Sequence, residues 1–249
     1  MVTVRRIGSA AAASHRIMAR PNRLVIPGQA HHVCIEAVSG SDAFVAQQDY
    51  ELFLDALQRA AVEHRTDVHA HSLTRAQAQL IVTPESRDGL GRMMQALARL
   101  YVGGFNRRQR RSGSLWQSRY RAAPVGGGAE LLSCMRYVEQ APRRFGWVPS
   151  LVDYPWSSAA HHAGTRVNGF LAAVPAASGY WVLGNTPFER EAAYRVLLET
   201  ALPRAEIERV ESTTLKGWAL GSGEFIASLA AETTRRPVAL ARGRPRKAI

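Results

Sequence analysis

Gln77 and Gln79 lie two residues apart in Gln77-Ala78-Gln79-Leu80-Ile81-Val82, a run that reads as a β-strand. Successive side chains on a strand point to opposite faces, so these two project together. A pair of side-chain carbonyls on one face could donate to a hard cation such as Mg²⁺, though weakly and with little selectivity. His69 and His71 repeat that spacing on the stretch just before, Val68–Leu73, and are expected to share a face. His-x-His is a short signal that metal sites use but do not monopolise. His31-His32 and His161-His162 are adjacent pairs. The two cysteines, Cys34 and Cys134, have no CxxC spacing and read as plain thiols of a reducing cytoplasm.

The charge pattern points to a polyanion. Net charge is +12 with a sequence pI near 10.7. Only Lys216 and Lys247 among the 32 basic residues are lysine, so genomic arginine bias inflates the total and placement matters more. From Gly89 to Ala129 there is no Asp or Glu, yet there are eight arginines. Arg107, Arg108, Arg110 and Arg111 are expected in a loop, with Arg119 and Arg121 following and Phe105, Trp116 and Tyr120 interleaved. Guanidinium groups neutralise phosphates and aromatic rings stack on unpaired bases, so this segment is a candidate nucleic-acid contact. At the C-terminus Arg242, Arg244, Arg246 and Lys247 surround a Gly243-Arg244-Pro245 core similar to an AT-hook, which lays arginines into a narrow minor groove.

The elements that must position these residues follow from periodicity. Ala30–Val38 reads as a first strand, Asp49–His64 as an amphipathic helix, and Val68–Leu73 with Ala78–Thr83 as two strands joined around Thr74-Arg75-Ala76. A helix over Gly89–Asn106, a strand over Tyr120–Val125 and a helix over Ala129–Gln140 complete the core. The order strand, helix, strand, strand, helix, strand is ferredoxin-like: an α+β domain, an antiparallel sheet with helices on one face. Further helices are expected from Thr186, as N-cap before Pro187, to about Leu202, then over Pro203–Val210 and Ser222–Thr233. No run approaches the ~18 apolar residues of a membrane span.

Four motifs carry a family resemblance. Leu73 and Leu80-Ile81 keep the frame of Leu-Met-Pro-Asn-His-x-His-Leu-Leu; Phe105-Asn106-Arg107-Arg108 and Gly113-Ser114-Leu115-Trp116-Gln117-Ser118-Arg119-Tyr120 match Phe-Asn-x-Arg and Gly-x-Leu-Trp-Gln-x-Arg-Tyr. Arg136-Tyr137-Val138-Glu139-Gln140-Ala141-Pro142 matches Arg-Tyr-Ile-Glu-x-Asn-Pro, and Asp153-Tyr154-Pro155-Trp156-Ser157-Ser158 closes the match, with Trp156 expected to dock on the core. Met18-Ala19-Arg20-Pro21 resembles the usual opening. These patterns resemble the REP-associated tyrosine transposases, single-tyrosine enzymes of the histidine–hydrophobic–histidine (HUH) class.

The resemblance implies a transposase-like core over 18–164, preceded by an extension or misplaced start at 1–17 and followed by a helical extension at 165–233 and a basic tail at 234–249. It makes Tyr137 the counterpart of the nucleophile that forms a phosphotyrosine link with DNA. In the family a divalent metal, Mg²⁺ or Mn²⁺, sits on the two histidines and on an Asn or Gln one turn after the tyrosine. Here those places hold Gln77, Gln79 and Ala141. The expected function is therefore binding of hairpin or single-stranded DNA in a bacterial cytoplasm, at the nucleoid, with impaired cleavage. The alternatives are an active transposase with a metal site moved to His69 and His71, or a ferredoxin-like RNA-binding regulator.

Overall fold

The computed structural model describes residues 23–239, so the expected N-terminal extension and the arginines of the AT-hook-like tail lie outside the described residues. The core runs β1 (His31–Glu36), α1 (Gln47–Glu63), β2 (Thr66–Thr74), β3 (Gln77–Pro84), α2 (Gly89–Arg108), β4 (Arg121–Pro124) and α3 (Gly128–Glu139). The strands form one antiparallel sheet in the order β2-β3-β1-β4, the ferredoxin-like arrangement. Two short helices follow, α4 (Ala141–Arg144) and α5 (Ala159–His162), then α6 (Pro187–Glu199), α7 (Arg204–Lys216) and α8 (Gly223–Glu232). Among the described residues no helix is long and apolar enough to cross a membrane.

Strand alternation divides the apolar residues between two cores. Val33, Ile35, Ala78, Leu80 and Val82 point to one face and pack with Phe53, Leu57, Met93 and Leu97 of α1 and α2. Ala70 and Ile81 point the other way, onto Leu131, Met135 and Val138 of α3, and the extension adds Tyr194, Leu198 and Val210. The crossover helices thus take one face, as the ferredoxin-like pattern expects. The extension closes over the other. Truncating a fully buried leucine such as Leu80 or Leu97 to Ala would cost about 2–5 kcal/mol. Trp156 docks as expected, stacking on Tyr50 with ring centroids 4.7 Å apart.

Three local readings need correcting. Arg107 and Arg108 close the last turn of α2 and only Arg110 and Arg111 lie beyond it, because the apolar stripe runs on through Tyr101 and Phe105. α7 continues to Lys216, past the expected end at Val210, and stops where Gly217 takes a left-handed φ of 66°. The third concerns β2. Its register with β3 shifts between Val68 and Ala70, so His69 is an inserted residue, Ala70 faces Ile81 and His71 faces Leu80. Ile81 and Leu80 belong to opposite cores, so His69 and His71 do not share a face. Thr186 is the N-cap as expected: it accepts from Glu189 N at 3.2 Å, while Glu189 Oε2 accepts from Thr186 N at 3.0 Å.

Buried histidines give the fold an acid dependence. Burial pulls His31, His32 and His71 each down to about 4 from an ordinary 6.5. The unfolded chain therefore takes up protons below pH 6.5 that the folded chain refuses until about pH 4. Each such group removes up to about 1.4 kcal/mol of stability per pH unit in that window. Glu139 adds to this at lower pH. Burial opposes its ionisation, but His162, Ser158 and Tyr194 outweigh that and hold the carboxyl below its ordinary value. We expect urea midpoints to fall steadily from pH 6.5 to pH 4. His71→Leu should flatten the slope, since Nδ1 of His71 is buried without a partner. A flat profile in the native chain would contradict this account.

Candidate active site

Tyr137 sits near the C-terminal end of α3, on the face that looks onto the sheet, and is only 5% exposed. Its hydroxyl donates to Glu211 Oε1 of α7 at 3.2 Å. The guanidinium of Arg144 lies 3.9 Å from the ring centroid, and the His32 ring meets the tyrosine edge-on at 5.5 Å. Burial raises the phenol above its ordinary value; Arg144 opposes that and Glu211 adds to it. Near neutral pH the oxygen is a protonated hydroxyl pointing at a carboxylate.

Gln77 and Gln79 do project together from β3, toward this tyrosine, but their amides are turned on each other. Gln79 Nε2 donates to Gln77 Oε1, and Gln77 Nε2 donates to Glu36 Oε1 at 2.8 Å. That leaves one candidate metal donor, Gln79 Oε1, which is buried beside His32 without a well-aligned hydrogen bond. Ala141 is fully buried and its methyl cannot ligate. The three positions do not fit a divalent cation. Among the described residues no three His, Cys, Asp or Glu side chains converge tightly enough to hold an ion. His69 bonds Ala173 O at 2.7 Å and Thr83 Oγ1 at 2.8 Å, and His162 Nδ1 is paired with Glu139 at 2.6 Å.

A cavity of about 480 Å³ opens beside Tyr137, between the sheet and α7. His32, Cys34 and Glu36, alternate residues of β1, line its floor, and Glu208 and Glu211 of α7 line its roof. Three carboxylates face one guanidinium there, that of Arg121. α7 is fastened over the cavity by His32 Nδ1 to Thr214 Oγ1 at 2.7 Å and by Ser133 Oγ donating to Glu206 at 2.9 Å. Sequence reasoning named His32, Cys34 and a helix over Pro203–Val210 without placing them at this site, and it missed Glu36 and Arg144. The alternation His-x-Cys-x-Glu on β1 was a readable signal, whereas nothing local ties residue 211 to residue 137.

The arginines divide by partner. Arg107 and Arg110 are exposed; Arg111 donates to Ser114 O at 3.0 Å. Arg108 instead pairs with Asp49, a fully buried carboxylate whose other oxygen accepts from Val45 N at 2.9 Å and Ala46 N at 2.8 Å. Arg119 is exposed and Arg121 is half-buried in the cavity wall. Phe105 and Trp116 are core residues packed around Tyr101 and cannot stack on a base. Tyr120 carries the Arg23 guanidinium over its ring at 3.7 Å.

Comparison with known proteins adds the following. No protein-family model and no curated protein matches the sequence. Among solved structures the chain is similar to a REP-associated tyrosine transposase bound to a REP hairpin. There the TM-score is 0.51 and identity 16%, over 63% of this chain and 92% of that one. It also matches a putative transposase from Deinococcus radiodurans at TM-score 0.34 and 18% identity, over 43% of this chain and 87% of that one. The chain has the fold of the REP-associated tyrosine transposase.

The Asp49–Arg108 pair separates fold from binding. Removing the guanidinium leaves a buried carboxylate without its counter-charge, a change that costs about 3–5 kcal/mol. We expect Arg108→Ala to lose stability on that scale in chemical denaturation and Arg107→Ala to lose almost none. Equal stability of the two variants would contradict the pairing.

Proposed function

We propose that this chain is a DNA-binding protein of the tyrosine-transposase type that engages single-stranded or hairpin DNA and is impaired in cutting it. Two things support the DNA partner: the shared fold with a transposase bound to a REP hairpin, and the clustered arginines beyond α2 and along β4. The observation that carries the impairment is the Glu211 carboxylate on the Tyr137 hydroxyl.

A tyrosyl attack on a phosphodiester brings an oxyanion toward a group that is already negative, and the family relieves this with a cation. This chain lines the cavity beside the tyrosine with Glu36, Glu208 and Glu211 instead, and the side chains of Gln77, Gln79 and Ala141 do not fit a cation. Two like charges 4 Å apart at an effective dielectric of 20 repel by about 4 kcal/mol. Carried into the transition state, that alone is about three decades in rate. Tyr137 is then a nucleophile in descent. Its work in this chain is packing.

Anisotropy titrations on hairpin-bearing single-stranded DNA and on matched RNA test the partner. We expect tighter binding to the DNA. Arg107→Ala, Arg110→Ala and Arg111→Ala made together, leaving Arg108 in place, should weaken binding and make the logarithmic salt slope shallower by about 2. Each single-strand phosphate contact contributes ~0.7 to that slope. An unchanged slope, or preference for the RNA, would contradict the reading.

A further inference from the structure

Next to the Tyr137 cavity lies a smaller one of about 190 Å³ with the opposite electrostatic character. Arg23, Arg119, Arg121, Lys216 and Arg235 line it, and no Asp or Glu does. The two cavities share Arg121, Thr214 and Leu215 as a wall. Three stretches far apart in sequence build the smaller one: the segment before β1, the approach to β4, and the extension.

The geometry is fixed rather than a loose fringe of side chains. Arg23 donates through Nε at 3.2 Å and Nη2 at 2.9 Å to Tyr120 O, with its guanidinium over the Tyr120 ring. Arg235 donates to Gly217 O at 3.0 Å, and burial lowers its pKa. Gly217 is needed at this junction. Its φ is positive, and a Cβ there would come within 3.0 Å of the Arg235 guanidinium and 3.5 Å of Ala122 O. Arg119 and Lys216 are exposed at the mouth. Arg119 and Lys216 stand at that mouth with Arg121 behind them, and an anion seated among these three reduces their mutual repulsion.

We propose that this pocket seats a backbone phosphate of DNA, which makes the C-terminal extension part of the DNA site. The inference rests on the DNA-binding reading and adds to it a place and a set of residues, Lys216 from the extension and Arg235 from the start of the tail among them. A phosphate held there sits one wall away from Tyr137. The bound strand is thus anchored by cations beside the tyrosine while the carboxylates around the tyrosine repel its other phosphates. Free inorganic phosphate presents the same chemistry, so the experiment separates the two sources.

The test uses the full chain and removes two charges in two places. Arg119→Ala with Lys216→Ala empties the pocket mouth. Arg59→Ala with Arg75→Ala removes two exposed cations paired with Asp55 and Asp42, neither of which lines either cavity. We expect the pocket pair to weaken single-stranded DNA binding by about tenfold or more and to lower the salt slope by about 0.7, one phosphate contact's worth. The control pair should change affinity less than about twofold. Thermal melting should be unchanged in both. Equal losses in the two pairs would overturn the proposal, leaving only bulk charge. If the pocket pair loses binding of inorganic phosphate, followed by ³¹P NMR line broadening, while DNA affinity holds, the DNA assignment is overturned in favour of free phosphate. If the native chain binds phosphate but no DNA at all, the DNA-binding reading itself fails.

Discussion

The hydrogen bond from Tyr137 to Glu211 is the contact on which the rest of the arrangement turns. It joins the helix that carries the tyrosine to a helix supplied by the extension, across a separation of 74 residues. One partner is a buried phenol held protonated, the other a carboxylate at the rim of a cavity. Arg144 lies over the ring and Arg121 lines the wall, yet the hydroxyl itself meets a carboxylate. Here the negative charge is structural, because α7 is also pinned by Thr214 to His32 and by Glu206 to Ser133. Those contacts hold over Tyr137 the helix that carries Glu211.

The wider charge distribution gives the same picture on a larger scale. The chain is strongly basic, yet three of its 20 acidic residues gather around the tyrosine. Four cations gather immediately beyond the shared wall, to which Arg121 itself belongs. Segregation of this kind focuses an incoming polyanion onto the basic side and keeps it off the phenol. On the proposed DNA-binding reading, the binding surface and the tyrosine, which an active enzyme superimposes, lie side by side. The arginines after α2 extend the basic side, with the exception of Arg108, whose charge is spent internally on Asp49.

Much of this was legible in the sequence because it is written in local periodicity. The β2–β3 hairpin, the two crossover helices and the Thr186 cap each depend on residues within a few positions, and each appears close to its expected bounds. What failed was non-local. The insertion at His69 is invisible to a two-residue alternation, yet it sends His69 and His71 to different faces. Arg108 looked like its neighbours in a basic run, and only the buried Asp49, 59 residues earlier, distinguishes it. Phe105 and Trp116 read as free aromatics because nothing in their spacing reveals that Tyr101 and Phe44 surround them. The placement of α7 over the sheet depends on contacts among residues 32, 133, 137, 206, 211 and 214, which no window spans.

The most direct measurement of the central claim restores what the site lacks. Gln77→His, Gln79→His, Ala141→Asn and Glu211→Gln would be combined, with folding checked by circular dichroism because Ala141 is fully buried. The native and combined chains would be incubated with hairpin-bearing single-stranded DNA and Mg²⁺ or Mn²⁺. Intact-mass spectrometry would then be used to look for a covalent adduct on Tyr137. The account predicts no adduct on the native chain and a metal-dependent adduct on the combined variant. A metal-dependent adduct on the native chain that Tyr137→Phe abolishes would contradict it.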